Sequence, residues 1–251
     1  MDPLLLISIL PVFILLGYIY LKDKNEREPW GLLIKAFLSG AFVAVLILLW
    51  SFVEGIIGIH LTAFAENSAV LKSFFQAAIP EEGLKLLFLY WLIWKNKEFN
   101  EHFDGIVYAV FVSMGFACVE NILYVYSGGF ETGIVRALLA VPGHFLFAVI
   151  MGYFFSRARF TPMRKGRLLA MAFICPVLAH GLYDTLCFAM DMYGETLGGL
   201  SAVLEVLFIA FDVKLWQIGL KAIRNHCHVC GKKIPKGDIN CPYCKSLVDS
   251  L

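Results

Sequence analysis

Seven apolar stretches divide this chain, each long enough, or nearly so, to cross a bilayer as a helix. They are Leu4–Leu21, Gly31–Val53, Leu71–Trp94, Gly105–Ser127, Gly133–Ser156, Leu168–Met190 and Leu197–Leu220. Unbroken apolar runs of this length exclude a β-barrel, whose strands alternate in character over about ten residues. In hydrocarbon the remaining choice is a helix that satisfies its own backbone. With 59% hydrophobic and 16% charged residues, an ordinary soluble domain is excluded too. The expected fold class is an all-α polytopic membrane protein, a bundle of about seven transmembrane helices embedded in the lipid bilayer.

A net charge of +1 names no partner, but the placement of the charges is informative. Lys22, Lys24 and Arg27 follow the first stretch, and Lys95 and Lys97 follow the third. Arg157, Arg159, Arg164, Lys165 and Arg167 follow the fifth, and the tail is basic as well. The alternate connections Glu54–Val70, Gly128–Thr132 and Asp191–Thr196 contain neither Lys nor Arg. By the positive-inside rule the N-terminus is expected outside the cell membrane and the C-terminus in the cytoplasm. The first stretch reads as an anchor, because Asp2 precedes it and its basic residues come after it.

Charges also lie within the stretches. The third carries Pro80-Glu81-Glu82-x-x-Lys85, the fourth Phe116-x-x-x-Glu120, the fifth Pro142-Gly143-His144, and the sixth Pro176 followed by His180-x-x-x-Asp184. A charge at mid-span costs roughly 2.5–3.5 kcal/mol. Five scattered ones would cost on the order of 15 kcal/mol, as much as a whole domain's stability. They must therefore converge on one another or on water. Counted inward from the expected outer ends, Glu81, Glu120, His144, His180 and Asp184 fall about six to eleven residues down, within one to two turns of a common height. Glu81 and Lys85, and His180 and Asp184, are spaced i,i+4 and share a helix face. Pro80, Pro142 and Pro176 each stand just before a charged or imidazole residue, where a kink opens room for water.

Such a cluster admits a hydrolase, a proton-coupled transporter or channel, or a non-catalytic scaffold. No inverted repeat is visible, and the polar groups gather at one depth rather than along a path, which counts against the transporter.

Beyond the stretches, Cys227-x-x-Cys230 and Cys241-x-x-Cys244 have the spacing of a four-thiolate structural zinc ribbon. Residues 1–222 are thus expected to form the membrane domain and 223–251 a small ribbon whose core is the metal. Its lysines suit lipid headgroups, and no nucleic acid is expected.

Taken in order on successive helices, Glu81-Glu82-x-x-Lys85, Phe116-x-x-x-Glu120, His144 and His180-x-x-x-Asp184 resemble the PrsW intramembrane proteases. That family is distantly related to the CAAX prenyl proteases and Abi proteins, and the resemblance runs from about Ala77 to Cys187. Where the wider superfamily has arginine and histidine, this chain has Lys85 and Glu120. The resemblance implies hydrolysis of a peptide bond in or near a membrane-embedded segment, with a membrane-anchored, anti-sigma-factor-like protein as partner. The mechanism expected on these residues has Glu81 or Glu82 as the general base on a water, held by Lys85. His144 and His180 polarise the carbonyl, and Asp184 orients His180. A catalytic zinc on Glu120, His144, His180 and Asp184 is the other form the chemistry takes.

Overall fold

The computed structural model describes residues 2–23, 27–57, 68–160 and 162–197, with scattered positions beyond them that include the four tail cysteines. Seven helices account for nearly all of it: α1 (Pro3–Lys22), α2 (Trp30–Ile57), the short α3 (Ala69–Lys72), α4 (Ile79–Ile93), α5 (Asp104–Leu138), α6 (Ala140–Phe160) and α7 (Lys165–Leu197). The first six apolar stretches are helical. The seventh, with Glu205, Asp212 and Lys214, lies almost wholly outside the described residues. Pro3–Lys22, Trp30–Val53, Asp104–Phe160 and Lys165–Met192 are each long and apolar enough to cross a membrane. The protein is a multi-pass helical membrane protein.

Asp104–Phe160 is more than one crossing. Its 57 residues would run about 85 Å as a straight helix, against a hydrocarbon core of about 30 Å. The break is at Gly129, whose φ of 82° and ψ of −170° suit a residue without a Cβ. Beyond it the chain doubles back. Arg136 bonds to Asn121 and Glu120, residues that a straight helix would hold more than about 20 Å away.

The α5 helix is the hub, packed against α1, α2, α4 and α6, while α7 covers α6 and the α3 side. Backbone meets backbone where α2 crosses α5. A Cβ on Gly40 would lie 1.7 Å from the carbonyl oxygen of Val112, and one on Gly115 would lie 1.9 Å from that of Phe37. Small residues at a crossing allow this approach in lipid, where dispersion rather than water drives helix association. Gly115→Ala is therefore expected to cost about 1–3 kcal/mol by overpacking. Thermal unfolding in detergent should show it as a fall in Tm of about 2–12 °C.

A wide π turn, Ser73–Ala78, leads into α4, with the Ile79 N–H reaching back to the Phe74 oxygen. The cause is Pro80, which offers no N–H and whose ring would strike the carbonyl four residues earlier. Glu81 and Glu82 consequently fall in the first turn of α4. Pro142 lies in the first turn of α6, while Pro176 is interior to α7. The opposite end of the bundle is sealed by aromatic rings, with Phe99 stacked on Phe155 at 5.6 Å and Trp94 edge-on at 5.2 Å. There Tyr108 donates to the carboxylate of Glu28. Burial pushes the Glu28 carboxyl up to about 7.

Candidate active site

From α4, Glu81, Glu82 and Lys85 all turn into the bundle, and all three are buried. The Lys85 ammonium donates to Glu82 Oε1 at 2.9 Å and to Glu81 Oε2 at 3.3 Å, and it lies 3.9 Å from the centre of the Phe116 ring. His180 enters from α7. Its Nδ1 is 3.0 Å from Glu82 Oε1, and its Nε2 is 3.3 Å from Asp184 Oδ2 and 4.0 Å from Glu81 Oε2. A carboxylate thus stands at each ring nitrogen of His180. Phe147 stacks flat against it at 4.9 Å, and His144 of α6 stands edge-on to it at 5.3 Å.

Glu120 brings in an arginine that spacing in the sequence did not single out. Arg136 donates to Glu120 Oε2 at 2.9 Å and to Asn121 Oδ1 at 2.8 Å, while Asn121 donates to the Ser8 carbonyl at 2.7 Å. The guanidinium also covers the Tyr124 ring at 4.1 Å. Glu120 Oε2 stands 2.8 Å from His144 Nε2. A carboxylate beside a guanidinium offers only lone pairs, so the imidazole carries its proton at Nε2. The other nitrogen, Nδ1, is left as a bare acceptor, and it is buried without a hydrogen-bond partner among the described residues.

All seven residues expected from the sequence thus converge, but their grouping differs from the expected one. Single donor atoms of Glu81, Glu82, His144 and His180 lie within 4.8 Å of one another. Glu120 and Asp184, which with the histidines made up the alternative zinc set, stand outside this group, each holding one imidazole from behind. That is the arrangement in which outer carboxylates orient metal-binding histidines. The inner group suits a divalent cation on two counts. His144 Nδ1 and Glu82 Oε2 are buried lone-pair atoms with no hydrogen-bond partner among the described residues. In addition, among the described residues the four carboxylates of the cluster face only two fixed cations, Lys85 and Arg136. Glu81 and Glu120 also line an open cleft between α2, α4 and α5.

In the tail, Cys227, Cys230, Cys241 and Cys244 form a second group that can hold a metal ion. The Cys227–Cys244 and Cys230–Cys241 sulfurs are 3.5 and 3.6 Å apart. A disulfide requires about 2.05 Å, whereas the edge of a zinc–thiolate tetrahedron with 2.3 Å bonds is about 3.8 Å. The Cys230 N–H points at Cys227 Sγ at 3.5 Å, which turns the first Cys-x-x-Cys loop around its sulfur.

Residues 28–213 match a family model described as PrsW family intramembrane metalloprotease. The chain is 36% identical over 224 residues to Protease PrsW of Geobacillus kaustophilus, covering 89% of this chain and 92% of the relative. It is 37% identical over 217 residues to that of Oceanobacillus iheyensis, covering 86% and 93%. With the Bacillus subtilis protein identity is 34% over 218 residues, covering 85% and 91%. No solved structure matches the chain.

Proposed function

The chain belongs to the PrsW family of intramembrane metalloproteases and is an intramembrane peptidase; we propose that Glu81, Glu82, Lys85, Glu120, His144, His180 and Asp184 carry its chemistry. The observation behind this reading is the approach of two carboxylates and two imidazoles, from three helices, to within 4.8 Å of one another. Glu81 is the member of that group that also faces the cleft, which makes it the general base. It takes a proton from water as the oxygen attacks the peptide carbonyl. It then returns the proton to the leaving nitrogen as the C–N bond breaks. His180, oriented by Asp184, is the donor we assign to the developing oxyanion, its N–H turning from the carboxylate to reach it. Lys85 fixes both carboxylates and balances their charge. Glu82, His144 and His180 are the three residues that would hold the family's metal, leaving a position open. A divalent cation there would polarise the carbonyl and acidify the water.

Arg136 and Glu120 act one step back, by fixing the His144 ring. Arg136→Gln is expected to lower kcat by about 10- to 100-fold with KM little changed. Cleavage of a membrane-embedded reporter in proteoliposomes measures both.

We assign the N-terminus to the outside, the tail to the cytoplasm, and residues 223–251 to a zinc ribbon, on the charge asymmetry and the four converged sulfurs. An anti-sigma-factor-like membrane protein is the substrate class we propose. Metal analysis tests the two sites together. The full chain is expected to hold about two equivalents and Cys227→Ser about one, and His144→Ala should lose the intramembrane equivalent while keeping the tail's. A full chain with one equivalent, Cys227→Ser with none, and undiminished cleavage by both would remove the intramembrane metal and leave the glutamate chemistry alone.

A further inference from the structure

The cleft that Glu81 and Glu120 line has a volume of about 460 Å³. Its origin is the crossing of α2 and α5. The two backbones touch at Gly40 and Gly115 and separate beyond that point. The first turn past the crossing contributes Ala44 and Phe116 to the walls, and later turns contribute Leu48, Leu123 and Tyr124. Both charged lining residues, Glu81 and Glu120, are members of the cluster described above. The rest of the cluster is closed off: Glu82 and Lys85 are 0% and 1% exposed, and Phe147 lies across His180.

We propose that this wedge is the lateral access route for substrate, and that its occupant is a single extended apolar segment of a membrane-embedded protein. The inference rests on Glu81 acting as the base. The occupant is extended because a helix ties its carbonyls into its own hydrogen bonds, and hydrolysis needs one of them free. The walls select the side chains: Leu48 and Leu123 favour apolar residues.

Photo-cross-linking in the full chain tests the route. A photoreactive residue is placed at Leu48 or Leu123, or at the lipid-facing controls Trp91 and Leu178. Each variant, reconstituted in proteoliposomes, is irradiated with a membrane-embedded reporter that the wild type cleaves. Adducts with the reporter at 48 and 123, at least about fivefold above those at 91 and 178, are expected. Equal adducts at the controls, or adducts only to lipid at 48 and 123, overturn the route while wild-type cleavage leaves the peptidase assignment standing. A second arm uses Leu48→Trp, expected to raise KM about tenfold with kcat within twofold, against Leu178→Trp with neither changed. Unaltered KM in Leu48→Trp overturns the proposal as well. A wild type unable to cleave any membrane-embedded reporter removes the base assignment, and the route with it.

Discussion

Glu81→Gln is expected to lower the cleavage rate of a membrane-embedded reporter by about 10²- to 10⁴-fold, the usual contribution of a positioned general base. The amide keeps the shape of the carboxylate and can still accept from Lys85, now at 3.3 Å. It cannot take a proton from water at neutral pH. Glu81 is the right target because it alone of the four donor residues lines the cleft. Glu82 has no exposed surface, and its Oε1 is engaged by both Lys85 and His180. Single-turnover cleavage in proteoliposomes, paired with a melting curve to verify the fold, provides the measurement. A rate within about threefold of wild type would take the base role away from Glu81.

The largest effect on stability is expected from Lys85→Met. Its ammonium is 1% exposed and is bonded to both carboxylates of α4. Removing one partner of a buried ionic network costs about 3–5 kcal/mol, because the remaining charge stays buried without compensation. For a chain of this size that lowers Tm by about 6–20 °C. The double variant Lys85→Met/Glu82→Gln separates charge from packing. It neutralises the nearer of the two orphaned carboxylates together with their cation and should recover part of the lost Tm, while cleavage stays absent. No recovery in the double variant would mean that Lys85 acts through its methylene stem against Phe116, over which its ammonium is centred at 3.9 Å.

The parts of the site that were legible in the sequence are those set by helical spacing. Glu81 with Lys85 and His180 with Asp184 are i,i+4 pairs, and each pair meets in the structure. Depth was legible as well, since counting residues from the end of a stretch gives height directly. Direction around the axis was not. The alternative zinc set put Glu120 and Asp184 beside the two histidines as ligands, yet Glu120 lies behind His144 and the carboxylates of α4 complete the inner group. Arg136 was hidden for a different reason. Its partners are fifteen and sixteen residues earlier, a separation that means contact only once Gly129 is known to reverse the chain. The fold class was readable from apolar run length. The π turn before Pro80 was not, because proline announces a disturbance without saying how the backbone will absorb it.

The reversal at Gly129 also constrains how the protein is made. A nascent chain that has emerged only as far as that glycine offers Glu120 to the translocon with no guanidinium to accompany it, a burden of about 3 kcal/mol at mid-span. Arg136 follows a few residues later, and both side chains partition together only if the two arms of the hairpin leave the translocon side by side. Insertion of this region is therefore expected to proceed by pairs of helices, and lengthening the segment between Glu120 and Arg136 is expected to delay the moment at which the first arm becomes a stable resident of the bilayer.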